Sequence, residues 1–325
     1  MKASLRNRVT EFLSLGRSFV YLRLPDGKEL FLPDDSEEYE VSIHPWKDDG
    51  SRVAEPVWRR STPEAEYKER VGALVERLKL SGGKAVVSRA ICGNAGKDAR
   101  WADVASRFID SHPGSLGFIF DTPATGAWIG ASPELLLGHD ASDGSYVSMA
   151  LAGTRPRTLS DIPPAWDAKN VHEHRYVTDF IRSVFESCGL KCALGPQETV
   201  RYGNIEHICT HIEGAATGVC HVDFGALASR LHPTPALCGF PREEALAEIE
   251  AVEAHPRGCY GGYIRIRRRN DGAEAAFVLL RCCNFDREGN WCVYAGGGIT
   301  PYSDVDSEWD EAWRKAALVA EIEKA

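Results

Sequence analysis

A chain of 325 residues can bury a substantial core, as one large domain or as two ordinary ones. With 43% hydrophobic and 26% charged residues, the composition excludes disordered and fibrous classes. A net charge of −9 argues against nucleic acid as partner, and no apolar run approaches the length needed to cross a bilayer. The first sixteen residues interleave basic side chains with Leu5, Val9, Phe12, Leu13 and Leu15, which predicts an amphipathic helix rather than an export signal. A cytoplasmic address follows. The ten cysteines are scattered, and none has the spacing of a zinc knuckle, so they read as reduced and mostly buried thiols.

Next come two strands, at 19–24 and 29–32, then a polar loop through Gly50 and a helix over about 63–80. That helix puts Val71, Leu74, Val75 and Leu78 on one face. From Lys84 onward the chain alternates short β-rich runs with Gly, Pro, Asp and Asn turns, at 85–91, 116–120, 127–129, 134–137, 146–151, 205–212, 259–266, 276–283 and 291–294. Helices are predicted over about 169–188, 223–231, 241–253 (with Pro241 at the first helical position) and 307–324. The basic run Arg265 and Arg267 to Arg269, followed by Asn270-Asp271-Gly272, reads as the solvated end of a hairpin. No repeat or linker divides the chain. The expectation is an α/β (α+β) fold over residues 1–325, a single large domain with layered, mostly antiparallel sheets and external helices.

Two helices carry carboxylates where packing alone would not place them. In 169–188 the apolar stripe is Val177, Phe180, Ile181, Val184 and Phe185, and Glu173 continues it inward. A buried carboxylate needs a cation or a strong hydrogen-bonding partner. In 307–324, Ser307 or Asp306 can cap the start, and Glu308, Glu311 and Lys315 project from a similar side. On pattern alone, an ordinary surface pair and a helix-dipole effect account for those three. Hard oxygen donors with no soft neighbour suit Mg²⁺ better than zinc.

His207 and His211 have the spacing of a helical zinc pair, but 205–212 alternates like a strand. Residues four apart on a strand share a face at roughly 13 Å, too far for one ion. His172 and His174 read as solvating or capping the helix start. The Ala295-Gly296-Gly297-Gly298-Ile299 segment follows a strand and could bring backbone N–H groups to an anion, although it fits neither the P-loop nor the dinucleotide fingerprint.

These residues, in this order, resemble the chorismate-using enzymes, a family of isochorismate, anthranilate, aminodeoxychorismate and salicylate synthases. The resemblance runs from about Lys84 to Lys315. It rests on Gly130-Ala131-Ser132-Pro133-Glu134, Leu151-Ala152-Gly153-Thr154-Arg155, Glu173-His174 after Lys169, and Leu231-His232-Pro233-Thr234-Pro235-Ala236 with Gly239-Phe240-Pro241. Arg257-Gly258-Cys259-Tyr260-Gly261-Gly262, Arg281, the glycine segment and Glu308-x-x-Glu311 with Lys315 complete it. The resemblance implies chorismate as the small-molecule substrate, Mg²⁺ as cofactor and a monomer. It makes Glu173 and Glu311 direct metal ligands and Glu308 a nearby, often water-linked carboxylate, with the ion holding the ring carboxylate. Arg281 and Tyr260 would hold the pyruvyl carboxylate. Gly153, Thr154, Gly296, Gly298 and Lys315 would line the anionic face, and His207 would lie beside the ring.

Within the family, Lys84 matches the lysine that activates water in isochorismate and salicylate synthases, where amine-using members usually carry glutamine. Ala152 stands where aminodeoxychorismate synthases place a nucleophilic lysine. The intact His232 to Ala236 segment matches isochorismate synthases and departs from salicylate synthases. The implied chemistry has Lys84 take a proton from water attacking C2 while Glu134 protonates the departing C4 hydroxyl. That requires a lysine well below its free pKa of about 10.4 and a protonated glutamate; burial favours both. Ala150 and Gly297 depart from the residues most frequent in relatives. The segment Arg201 to His207 leans toward menaquinone-type members rather than siderophore ones. A degenerate, non-catalytic chorismate binder would have lost Lys84, Glu134 or a metal ligand, and none is lost.

Overall fold

The structure, a computed structural model, describes residues 1–33, 36–47, 60–158, 164–216 and 222–324. It opens with helix α1 (Ala3–Leu15), ended by Gly16 in the left-handed region, then strands β1 (Phe19–Arg23), β2 (Glu29–Pro33) and β3 (Tyr39–His44). Helix α2 (Glu64–Ser81) buries Tyr67, Val71, Leu74, Val75 and Leu78 and leads into β4 (Lys84–Asn94). There follow α3 (Trp101–Asp110), β5 (Leu116–Thr122), β6 (Gly126–Ser132), β7 (Leu135–Asp140), β8 (Ser145–Pro156) and α4 (Ala168–Ser187). Strands β9 (Leu190–Leu194), β10 (Glu198–Tyr202) and β11 (Ile205–Ala216) precede α5 (Phe224–Leu231), β12 (Gly239–Phe240) and α6 (Arg242–Val252). The chain closes with β13 (Tyr263–Arg268), β14 (Glu274–Val278), β15 (Cys282–Phe285), β16 (Asn290–Ile299), α7 (Val305–Lys315) and α8 (Leu318–Ile322).

Pairing is antiparallel throughout the described residues. One sheet runs β12-β4-β16-β15-β6-β5-β1-β2, and the other β10-β11-β8-β7-β14-β13-β3, with β9 on β11. Phe118, Phe120 and Trp128 of the first sheet pack with Ile264, Ile266 and Phe277 of the second, so a core lies between the sheets. A second core joins the first sheet to α1, α3 and α8, and a third joins the other sheet to α4 and α5. Helices α2, α6 and α7 close over β4 and β16. The layered, antiparallel expectation is met, with a helical layer outside each sheet. No helix among the described residues is long and apolar enough to cross a membrane.

Local readings changed where tertiary contacts overrode them. The predicted loop through Gly50 contains β3, whose Val41 and Ile43 alternate along an edge strand paired with β13; residues 48–50 lie outside the described ones. The run 276–283, read as one strand, is two strands in different sheets, because the chain crosses over at 279–281. Of the run 259–266, only the part from Tyr263 is strand. Pro241 caps α6 from outside rather than opening it, and the last helix is broken into α7 and α8, with Asp304 as its N-cap. Helix α3 and strands β9, β10 and β12 went unread. Six of the nine described cysteines are buried; Cys220 lies outside the described residues.

Candidate active site

The chain passes between the two sheets at 133–134 and again at 279–281, and the crossings lie side by side. The Val278 amide donates to the Glu134 carbonyl at 3.0 Å, and the Ala131 amide to the Arg281 carbonyl at 3.4 Å. Glu134 and Arg281 are thus carried at the seam between the sheets, where a cleft opens. Arg281 has φ +49°, strained for a residue with a Cβ and tolerated because both flanking strands hold it.

The cleft gathers Lys84 from the start of β4, Glu134, Gly153 and Thr154 from β8, and Glu173 from α4. His207 from β11, Tyr260, Arg281, Gly296 and Gly298 from β16, and Glu311 and Lys315 from α7 complete its wall. Glu308 sits directly behind. A Cβ built on Gly297 would lie 3.0 Å from Glu308 Oε2 and 3.1 Å from Glu311 Oε1, and one on Gly298 only 2.7 Å from Lys84 Cε. These glycines belong to β16 itself rather than following a strand; they keep its surface flat so that the lysine and the carboxylates can approach it.

Lys84 is 3% exposed, with Nζ 3.9 Å from Glu173 Oε2. Glu134 is 3% exposed, its Oε1 has no hydrogen-bond partner, and burial pushes its pKa up to about 8 against the pull of Lys84 and Arg281. A carboxyl so placed is mostly protonated at neutral pH and can donate.

Glu173 points inward, as the stripe on α4 required. Its Oε1 and Glu308 Oε2 are buried without hydrogen-bond partners. Burial, then the charge of Glu311, raise the Glu308 pKa; burial would raise Glu311 too, but Lys315 at 2.7 Å brings it below the usual value. Lys315 also donates to the Gly296 carbonyl at 3.0 Å. Lys169, which sequence reasoning noted only as a motif neighbour, lies 2.9 Å from Glu308 Oε1 and 4.0 Å from Glu173 Oε1. Its signal was the i, i+4 spacing to Glu173. Among the described residues no group of three or more His, Cys, Asp or Glu side chains is drawn together closely enough to hold a metal ion. The oxygens over Gly297 and Gly298, from Glu308, Glu311 and Glu173, are nonetheless all hard donors, and Glu308 Oε2 and Glu173 Oε1 lack hydrogen-bond partners, which is the chemistry a small divalent cation retaining waters demands.

On the other wall, β8 bulges at Gly153, which takes φ +78° and is skipped in the register between Ala152 and Thr154. The Gly153 carbonyl accepts from His207 Nδ1 at 3.0 Å. Along β11, His207 is buried beside this bulge and His211 is exposed. Tyr260 stacks on Tyr294 at 5.6 Å, and burial drives its pKa up, so the phenol stays neutral. Beneath it Arg257 donates to the Val86 and Leu237 carbonyls and pairs with Glu253, tying the cleft floor to β4. Sequence reasoning gave Arg257 no role.

Two packed antiparallel sheets, with an acid, cations and carboxylates converging on a cleft at their seam, form the kind of site an enzyme presents. Residues 38–322 match the family model described as chorismate binding enzyme, and the chain belongs to that family. It is 31% identical over 278 residues to MenF of Mycobacterium tuberculosis, covering 79% of this chain and 73% of that protein. With the isochorismate synthase EntC of Escherichia coli it shares 31% over 225 residues, 66% of this chain and 56% of the relative. The solved structure of MenF, the menaquinone-specific isochorismate synthase of Escherichia coli, superposes with a TM-score of 0.78 at 17% identity, covering 94% of this chain and 88% of that one. That likeness is one of fold.

Proposed function

We propose that this enzyme is a Mg²⁺-dependent isochorismate synthase, with its catalytic machinery contained in the span from Lys84 to Lys315. The observation that carries the reading is the convergence of buried Lys84 and buried Glu134 on one cleft, with Glu134 held near pKa 8. Arg281 remains cationic, since burial lowers it only to about 10. It would take one carboxylate of chorismate, with Tyr260 donating beside it. Glu173 and Glu311, backed by Glu308, would hold the Mg²⁺, which supplies positive charge for the other carboxylate.

In the reaction, Lys84 accepts a proton from water as the oxygen bonds to C2. The ring double bonds shift, the C4–O bond breaks, and Glu134 gives its proton to the leaving hydroxyl, which departs as water. Ala152, buried against the cleft, offers no nucleophile of its own, which favours water over covalent capture.

Incubation with chorismate, Mg²⁺ and ammonium, followed by chromatography, tests the assignment. Isochorismate in equilibrium with chorismate is expected. Anthranilate, salicylate with pyruvate, or binding without turnover would each replace it. We further place the product in menaquinone supply, supported by the Arg201 to His207 segment. Rescue of a menaquinone auxotroph, without rescue of a siderophore auxotroph, is the outcome expected.

A further inference from the structure

We propose that Lys169 is a built-in counter-cation that sets the affinity and size preference of the metal site. This rests on the reading of Glu173, Glu308 and Glu311 as holding a divalent ion. Lys169 stands in the first turn of α4, one turn before Glu173, and reaches across to α7. Its Nζ lies 2.9 Å from Glu308 Oε1, and Ser303 Oγ donates to the same oxygen at 2.7 Å. Both donors fall on Oε1. The other oxygen, Oε2, is left buried and unpartnered, directed at the space over Gly297 where Glu311 Oε1 also lies.

Two consequences follow. Glu308 can offer an entering ion only one oxygen, because the second is already committed. An ion entering among the three carboxylates also meets the Lys169 ammonium, 2.9 Å from Glu308 Oε1 and 4.0 Å from Glu173 Oε1. A site with few free oxygens and reduced negative charge favours a small octahedral cation that retains its waters. It disfavours calcium, which takes six to eight oxygen ligands. The Lys169 side chain is 34% exposed, so its charge persists without demanding a full buried partner, and it stands outside the cleft wall itself.

Calorimetric titration of the full chain with MgCl₂ alone and with CaCl₂ alone tests this without any turnover. Lys169→Met and Lys169→Gln should bind Ca²⁺ at least about tenfold more tightly than the unsubstituted protein, with a smaller gain for Mg²⁺. Lys169→Arg should keep the original preference. Circular dichroism identifies whichever neutral variant is folded. If a folded neutral variant binds both ions as before, or both more weakly, Lys169 is a structural tether and the proposal fails. If the unsubstituted protein binds neither ion, or binds them equally well after Glu173→Gln, the metal reading itself fails and this inference goes with it.

Discussion

Nη2 of Arg281 lies 2.7 Å from Nε2 of His207. A guanidinium has no acceptor, so Nε2 must accept, and the ring proton sits on Nδ1, where the Gly153 carbonyl receives it. Burial first, then Arg281 and Lys315, drive the His207 pKa well below its ordinary value. His207 is therefore a neutral acceptor that aims the guanidinium, and the bulge at Gly153 fixes its tautomer.

From that geometry, His207→Leu should leave Arg281 without its acceptor. A hydrogen bond to a charged group contributes about 1.5–3 kcal/mol, which corresponds to a rise of roughly ten- to a hundredfold in KM for chorismate. The imidazole nitrogen resonances of the unsubstituted protein should report a neutral Nδ1–H ring from pH 5.5 to 8. A ring that protonates near 6.5 would remove the basis for this role.

The buried acid gives a pH test with a defined sign. Glu134 has a folded pKa of about 8 against an ordinary value of 4.5. Its contribution to stability is fully present below about 4.5 and is lost as pH rises to about 8. Glu134→Gln has no such loss, so its melting temperature should gain on that of the unsubstituted protein between pH 5 and 8, then keep a constant lead. Turnover should fall above about pH 8 as the acid ionises. Glu134→Gln and Lys84→Gln should each lose roughly 10²–10⁴-fold in turnover while still binding chorismate with Mg²⁺. Near-normal turnover in Lys84→Gln would leave the reaction without its base.

Chelation supplies a further test. EDTA should abolish activity and Mg²⁺ restore it. Glu173→Gln and Glu311→Gln should weaken Mg²⁺ binding by roughly tenfold or more with the circular dichroism unchanged. Full turnover in chelator, or restoration by Zn²⁺ alone, contradicts the hard-oxygen site.

The cleft wall also depends on a buried carboxylate that touches no substrate. Glu206 is fully buried and pairs with Arg155 at 2.9 Å and Arg201 at 3.0 Å, joining the end of β8 to β11 and β10. Burial alone would raise its pKa, but hydrogen bonds from Arg155, Arg201 and Thr158 bring it down to about 2. The stabilisation is present above about pH 4.5 and is lost as pH falls toward 2. Glu206→Gln should cost about 3 kcal/mol in urea denaturation at pH 7, and much less at pH 3.

What the chain states locally proved sufficient for much of this site. The 3.6-residue stripe on α4 sends Glu173 inward because helical periodicity is a property of neighbours. For the same reason Glu308, Glu311 and Lys315 emerge on one side of α7. Ordered motifs carried the family. Local pattern could not show that 276–283 breaks in two, since a strand buried on both faces has no alternation to read, and nothing between Ala276 and Cys283 marks the crossing. Only the packing of one sheet on the other decides that Leu279 to Arg281 must turn, and that turn aims the guanidinium. Likewise the glycines of β16 reveal their purpose only when Lys84 and Glu308 arrive against them from distant parts of the chain. The bond from Lys169 to Glu308 spans 139 residues. Such contacts follow from how the layers stack, which depends on the whole buried surface rather than on any window of sequence.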